Sequence, residues 1–173
     1  MLKNPIVAAV ICVIVVLAST VISVRARLNP LCDAIRGEFT VSGGIADQLE
    51  KVCDAGTGIV SLAQSKGLET LEAEDLCTTL RLNIKGEPSS SAFLYQMLKG
   101  KLSGLCVSLR QLDLSEKEAT LLEDYATSLE KAQAAIGSDP YNSSVSYFLN
   151  RRLGVFSTGM ARFCGVRLPE QFA

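Results

Sequence analysis

The sequence contains no histidine. That absence removes the commonest general base, so a Ser–His–Asp or Cys–His arrangement cannot be drawn for it. It also removes any Cys/His zinc set. The six cysteines, Cys12, Cys32, Cys53, Cys77, Cys106 and Cys164, are scattered, and none forms a C-x-x-C pair. Net charge is nearly absent as well. With 17 basic and 18 acidic residues the formal charge is −1, so no global field draws in nucleic acid. A hydrolase would need a Ser–Lys or Cys–carboxylate pair, and the spacing offers neither. No segment alternates apolar and polar residues for long enough to read as a strand. The expectation is an all-α protein with no catalytic residues, no cofactor and no metal.

Charge is missing altogether from residues 6–24, IVAAVICVIVVLASTVISV. At about 1.5 Å per residue these positions span roughly 28 Å, the thickness of a bilayer core. Backbone groups in lipid must bond within their own segment, so the run reads as one transmembrane helix after a short flank at residues 1–5. A cleaved signal peptide is the alternative. Its apolar core would be shorter, and Val-Ile-Ser-Val before Arg25 lacks the small residues of a cleavage site. The flanking charges are Lys3 and the terminal amine on one side, and Arg25, Arg27 and Arg36 on the other. Positive residues stay in the cytoplasm, which favours an outside N-terminus and a cytoplasmic domain over residues 25–173. Reduced thiols in helical cores suit that side. Disulfides remain the alternative if the domain is exported.

The domain reads as helix after helix. Arg25 to Gly37 continues out of the membrane, with Pro30 as a kink or restart. Gly43-Gly44 breaks the chain, and Ile45, Leu49, Val52, Ile59 and Leu62 then recur at helical spacing. A short helix is predicted over residues 71–82, followed by a loop at Gly86-Glu87-Pro88-Ser-Ser-Ser. Ser91 is the expected cap of a helix with the stripe Leu94, Leu98, Leu102, Leu105, Leu109 and Leu112. Gly100 and Gly104 in that helix would let a neighbour approach closely. Ser115-Glu-Lys-Glu118 is a capping box opening a helix striped by Ala119, Leu122, Ala126, Leu129, Ala132 and Ile136. Asp139 caps and Pro140 starts the last helix, with Tyr141, Val145, Phe148, Leu149, Leu153, Phe156, Met160 and Phe163 on one face. Gly165 closes it, and Pro169 prevents continuation. Three long helices, a membrane-proximal helix and a short connector pack most economically as an antiparallel bundle. Seven acids lie between Asp113 and Asp139, and four arginines against Glu170 follow Pro140. These consecutive helices are expected to pair by charge.

The last stretch resembles the C-terminal end of the LemA family of bacterial membrane proteins. Tyr141-Asn142 with Val145 is similar to the YN-x-x-V start of that family's final helix. Phe148 stands where a second Tyr is usual, and its Asn partner is displaced to Asn150. Phe156, Met160-Ala161 and Gly165 follow the same rhythm. Upstream, Leu28-Asn29-Pro30-Leu31 with Ile35-Arg36-Gly37 is similar to the LIPNLV…VKG segment after the membrane helix, with Asn and Pro exchanged. Residues 122–134 are similar to the LQEELEGTENRIA helix. Residues 65–90 have no counterpart and look like an insertion, and Pro140 replaces the usual arginines.

The resemblance implies a single anchor in the bacterial cytoplasmic membrane and a helical body held against the bilayer. It implies no catalytic activity. One branch of the family is associated with building magnetosome membranes. The implied role is a scaffold or adaptor whose partners are the lipid bilayer and an unidentified protein. An exported sensor binding a ligand or partner between its helices is the competing class. Self-association through Ala8, Ala9 and Ala18 is a further expectation.

Among individual residues, Tyr141 and Asn142 are the candidates for a partner site, weighed against a role in locking the last helices together. Arg151-Arg152 could meet anionic lipid but is read first as a face paired with an acidic neighbour. Glu72, Glu74 and Asp75 read as an acidic helix start rather than as metal ligands.

Overall fold

The computed structural model describes residues 5–172, apart from the side chains of Pro5, Val155 and Phe156. Lys3 and most of the flank predicted at residues 1–5 lie outside the described residues. Every regular element among the described residues is a helix: α1 (Pro5–Thr40), α2 (Ile45–Ser65), α3 (Leu71–Asn83), α4 (Pro88–Arg110), α5 (Glu116–Ser138), α6 (Tyr141–Tyr147), a π-helical turn (Phe148–Leu153) and α7 (Gly154–Phe163). The chain divides into two compact units. An anchor unit comprises Met1–Arg36 and Ser144–Pro169, and a body unit comprises Gly37–Ser143 and Glu170–Ala173.

In the anchor unit, α1 is the one helix among the described residues that is long and apolar enough to cross a membrane, by length and composition. Its apolar window is wholly unburied and has a mean hydropathy of 2.9. A signal sequence near an N-terminus would meet the same measure. The hydroxyls of the run are satisfied inside it: Ser19 donates to the Val15 carbonyl at 2.7 Å and Thr20 to the Val16 carbonyl at 2.8 Å. The predicted restart at Pro30 does not occur, since α1 runs unbroken to Thr40. A helix-interior proline costs about 3 kcal/mol and forfeits one backbone bond. Packing on both sides of it offsets that cost. Leu28, Cys32 and Ile35 belong to a cluster with Phe148, Leu153, Ala161, Cys164 and Val166.

The final helix is also corrected. It is not one rod from Tyr141 to Phe163. The π-helical turn ends where the Gly154 amide reaches back to the Leu149 carbonyl, and Gly154 itself sits at φ 71°. A φ of that sign is open to glycine at little cost. The break rotates the buried face, so Met160 and Phe163 are 38% and 83% exposed while Ala161, Cys164 and Val166 enter the core. The Val166 amide bonds the Ala161 carbonyl and the Gly165 amide bonds that of Arg162, both at 2.9 Å. This is a Schellman closure of α7 at Gly165.

In the body unit, α2 is central and packs against α5, α3 and α4. Ile45, Leu49, Val52 and Ile59 are buried as the periodicity predicts, while Leu62 is only half-buried and Val60 and Ala63 take its place. The predicted short helix is present as α3, and within the segment expected to be an insertion it buries Leu76, Cys77 and Leu80. The loop predicted at residues 86–91 is shorter than expected. Glu87 is the cap, and Pro88 opens α4. Proline is favoured there because its φ suits a helix and its missing N–H is not needed. Ser91 is therefore not a cap. It is fully buried and donates to the Asn83 carbonyl at 2.9 Å.

The stripe of α4 shifts accordingly. Ala92, Tyr95, Leu98, Leu102, Cys106 and Leu109 are buried, whereas Leu94 and Leu105 are half-buried and Leu112 is exposed. The close approach expected at Gly100 and Gly104 is absent, for a Cβ at either would meet nothing within 4 Å. It occurs instead in α2. A Cβ at Gly58 would lie 2.5 Å from the Tyr125 ring, and one at Gly56 would lie 3.0 Å from both Cys77 and Leu102. These two glycines let α5, α3 and α4 reach the α2 backbone.

The capping box at α5 is present as predicted. Glu118 Oε2 accepts from the Ser115 amide and from Lys66 Nζ, each at 2.8 Å, which ties the end of α2 to the start of α5. Lys66, followed by the Ser115 amide and hydroxyl, holds the Glu118 carboxyl down at about 2, against an ordinary value of 4.5. A depressed carboxyl pKa contributes stability that is complete above the unfolded value and lost as pH falls toward the folded one. Glu118→Gln is therefore expected to lower the melting temperature at pH 7 and to lower it progressively less as pH falls through about 2, as read by circular dichroism in detergent. Two glycine substitutions should act in opposite directions. Gly100→Ala fills open space at an exposed position of α4 and should stabilise by about 1 kcal/mol. Gly44→Ala would place a Cβ 2.7 Å from the Glu38 carbonyl oxygen, and should destabilise by about 1–3 kcal/mol in the same melts.

Candidate functional site

Tyr141 and Asn142, the residues singled out by the sequence, lie together in the body unit at the start of α6. Asp139 positions them, its Oδ1 accepting from the Tyr141 amide at 2.9 Å. Both side chains then engage the tail at residues 170–172. The Tyr141 hydroxyl donates to the Glu170 carbonyl at 2.8 Å. Asn142 makes two bonds to Phe172: its Nδ2 donates to the carbonyl at 2.6 Å, and its Oδ1 accepts from the amide at 2.7 Å. The amide side chain thus substitutes for a strand neighbour, satisfying both backbone groups of one residue.

This clasp delivers the Phe172 ring into the body core. The ring lies 6.0 Å from Phe39 and 5.8 Å from Tyr95, and Phe39 in turn lies 5.4 Å from the Tyr141 ring, all tilted. Tilted pairs at these separations are favourable beyond the area they bury. The clasp was not legible in advance. The polarity of Asn142 announced a partner, but nothing local indicated that it is backbone thirty residues away.

The other motif residues lie in the anchor unit and serve packing. Val145 and Phe148 are buried, and Gly165 provides the helix closure at φ 69°. The side chain of Phe156 lies outside the described residues. Gly165 also admits the Arg25 side chain, for a Cβ there would stand 2.6 Å from a guanidinium nitrogen. Arg25 Nε donates to the Cys164 carbonyl at 2.6 Å, and Arg36 donates to the Arg167 and Leu168 carbonyls. The conformation of the closing turn is thereby tied to α1.

The remaining candidates are engaged elsewhere or unpaired. Glu72 pairs with Lys101 at 2.6 Å, and Glu74 accepts from Gln64 at 2.9 Å. Arg151 and Arg152 are exposed in the π-helical turn, and neither joins any ion pair among the described residues. The acidic partner expected for them is not seen. Five of the six cysteines are buried and all six are free thiols; Cys12 is exposed. Burial, aided by the neighbouring Cys77 thiol, pushes the Cys53 thiol up to about 12, and burial pushes Cys77 up to about 11. Thiols with such values are poor nucleophiles at neutral pH.

One open groove of about 300 Å³ lies between α2 and α3, lined by Thr57, Ser61, Gln64, Glu74, Thr78 and Arg81 among others. Its charged groups are already used, since Arg81 pairs with Asp54 at 2.6 Å.

Asn142→Ala is expected to leave both backbone groups of Phe172 unpaired and to cost about 1–3 kcal/mol, whereas Tyr141→Phe should cost only about 1 kcal/mol. Hydrogen exchange at the Phe172 amide should rise strongly in the first variant and weakly in the second. No protein family, no curated protein and no solved structure matches this chain.

Proposed function

We propose that the chain is a non-enzymatic, membrane-anchored scaffold or adaptor of the kind its LemA resemblance implies. In this reading α1 spans the bacterial cytoplasmic membrane, the N-terminus lies outside, and α2–α5 form an antiparallel bundle in the cytoplasm that holds a protein partner near the bilayer. The observation that carries it is the state of α1. None of its apolar window is buried, its hydroxyls bond internally, and it continues without a break into a basic, packed segment. An exposed run of that kind is costly in water and suited to lipid. The charge distribution supports the orientation. The anchor unit places seven arginines beyond the run and has Asp33 as its one acid, and arginine favours the cytoplasmic side. The buried thiols of Cys53 and Cys77 and the engaged carboxylates of Glu72, Glu74 and Glu118 support holding rather than reacting.

The groove between α2 and α3 favours a second reading, an exported domain binding a small polar ligand there. Topology separates the two. In a Cys12→Ala background, Gln111→Cys supplies one exposed thiol among buried ones. A membrane-impermeant maleimide should label it only after the cells are permeabilised. Labelling of intact cells would reverse the orientation and favour the exported reading.

A further inference from the structure

Charge is divided unevenly between the two units. The body carries seventeen of the eighteen acids, whereas the anchor unit has Asp33 alone against eight bases. Asp33 is already paired with Arg36 at 3.2 Å. Arg27, Arg151, Arg152 and Arg162 are exposed and join no ion pair among the described residues. Their place along α1 is set by packing. The C-terminal part of the anchor unit packs against Val21 and Val24, the last turn of the uncharged run, and onward to Leu28 and Ile35. Phe148 and Leu153, which flank Arg151-Arg152 in the chain, and Ala161 and Cys164, which flank Arg162, belong to that packed cluster. On α7 Phe163 is 83% exposed, and Met160, three residues earlier, is 38% exposed. A phenylalanine that open forgoes about 1.5–3 kcal/mol of burial in water.

From these observations we infer that the anchor unit is a clamp for anionic phospholipid headgroups. Arg27, Arg151, Arg152 and Arg162 meet the phosphates, while Phe163 and Met160 dip into the interface beside them. Guanidinium suits phosphate through its fixed fork of donors, and a basic rim with an apolar tip suits the boundary of an anionic leaflet. Arg25 and Arg36 hold the clamp closed through the 164, 167 and 168 carbonyls and are not its lipid contacts. The inference rests on the proposal that α1 spans the bilayer.

Because the chain has no tryptophan, a single introduced one reports its own site. Full-length Phe163→Trp would be reconstituted into nanodiscs of brominated phosphatidylcholine, with and without phosphatidylglycerol. Val13→Trp, in the middle of the run, would be prepared alongside. The expected result is quenching of Val13→Trp in both, and quenching of Phe163→Trp that is about twofold or more stronger with phosphatidylglycerol. Arg151→Gln/Arg152→Gln/Arg162→Gln should abolish that difference, and so should high salt. Equal quenching in both lipids would overturn the headgroup assignment. A water-exposed Phe163→Trp beside a quenched Val13→Trp would overturn the clamp alone and leave the face to a protein or a second copy. An unquenched Val13→Trp would overturn the spanning reading itself.

Discussion

A helix with nineteen uncharged residues cannot hide its side chains within itself, because its apolar surface faces every direction. Something else has to cover it, and the rest of the anchor unit is arranged around that need. Over most of the run nothing from the described chain covers α1. Where the run ends, cover comes from the far end of the sequence: Phe148, Leu153, Ala161, Cys164 and Val166 close over Val21, Val24, Leu28 and Cys32. Bringing residues so distant together carries a loop-closure cost that rises only slowly with length. The aliphatic contact offsets it, and the Arg25 and Arg36 bonds to carbonyls of the closing turn add direction.

The body unit meets a different constraint. Its helices are moderately apolar, so density of packing matters more than the number of large side chains. Gly56 and Gly58 let neighbours reach the α2 backbone, and Ala126 and Ala132 on α5 are buried with little bulk. Buried polar atoms are satisfied throughout, with none left without a partner among the described residues. Ser91, Tyr141 and Asn142 each find a backbone carbonyl. Their hydrogen bonds go to fixed backbone neighbours, which adds rigidity to the packed helices.

Much of this arrangement could be read from the chain alone, because the relevant signals are local. The uncharged run, the capping box at Ser115, the break at Gly43-Gly44, the closure at Gly165 and the stripe of α5 from Leu122 onward, though not its exposed first member Ala119, depend on neighbours within a turn or two. The misplacements share one cause. Leu94, Leu105, Met160 and Phe163 have the right chemistry for a core but lie a fraction of a turn from it. A π-helical turn adds a residue to one turn and rotates the face beyond it by about 100°. Gly154 marks the shift in the last helix, and in α4 the packed face lies toward Ala92, Tyr95 and Cys106, a choice made by its neighbours and not visible in an apolar pattern. Gly100 and Gly58 look alike in sequence; only the presence of Tyr125 beside the latter distinguishes them.

The sequence by itself determined that the chain is helical, where its uncharged helix lies, and which caps and breaks punctuate it, since those follow from short-range sterics and hydrogen bonding. The tertiary structure decided what each face meets. It gave Asn142 the backbone of Phe172 as its partner, packed the segments that carry the terminal arginines with the end of the uncharged run, and left Phe163 outside. Those outcomes depend on contacts between residues far apart in the chain, whose energies exist only once the segments have met.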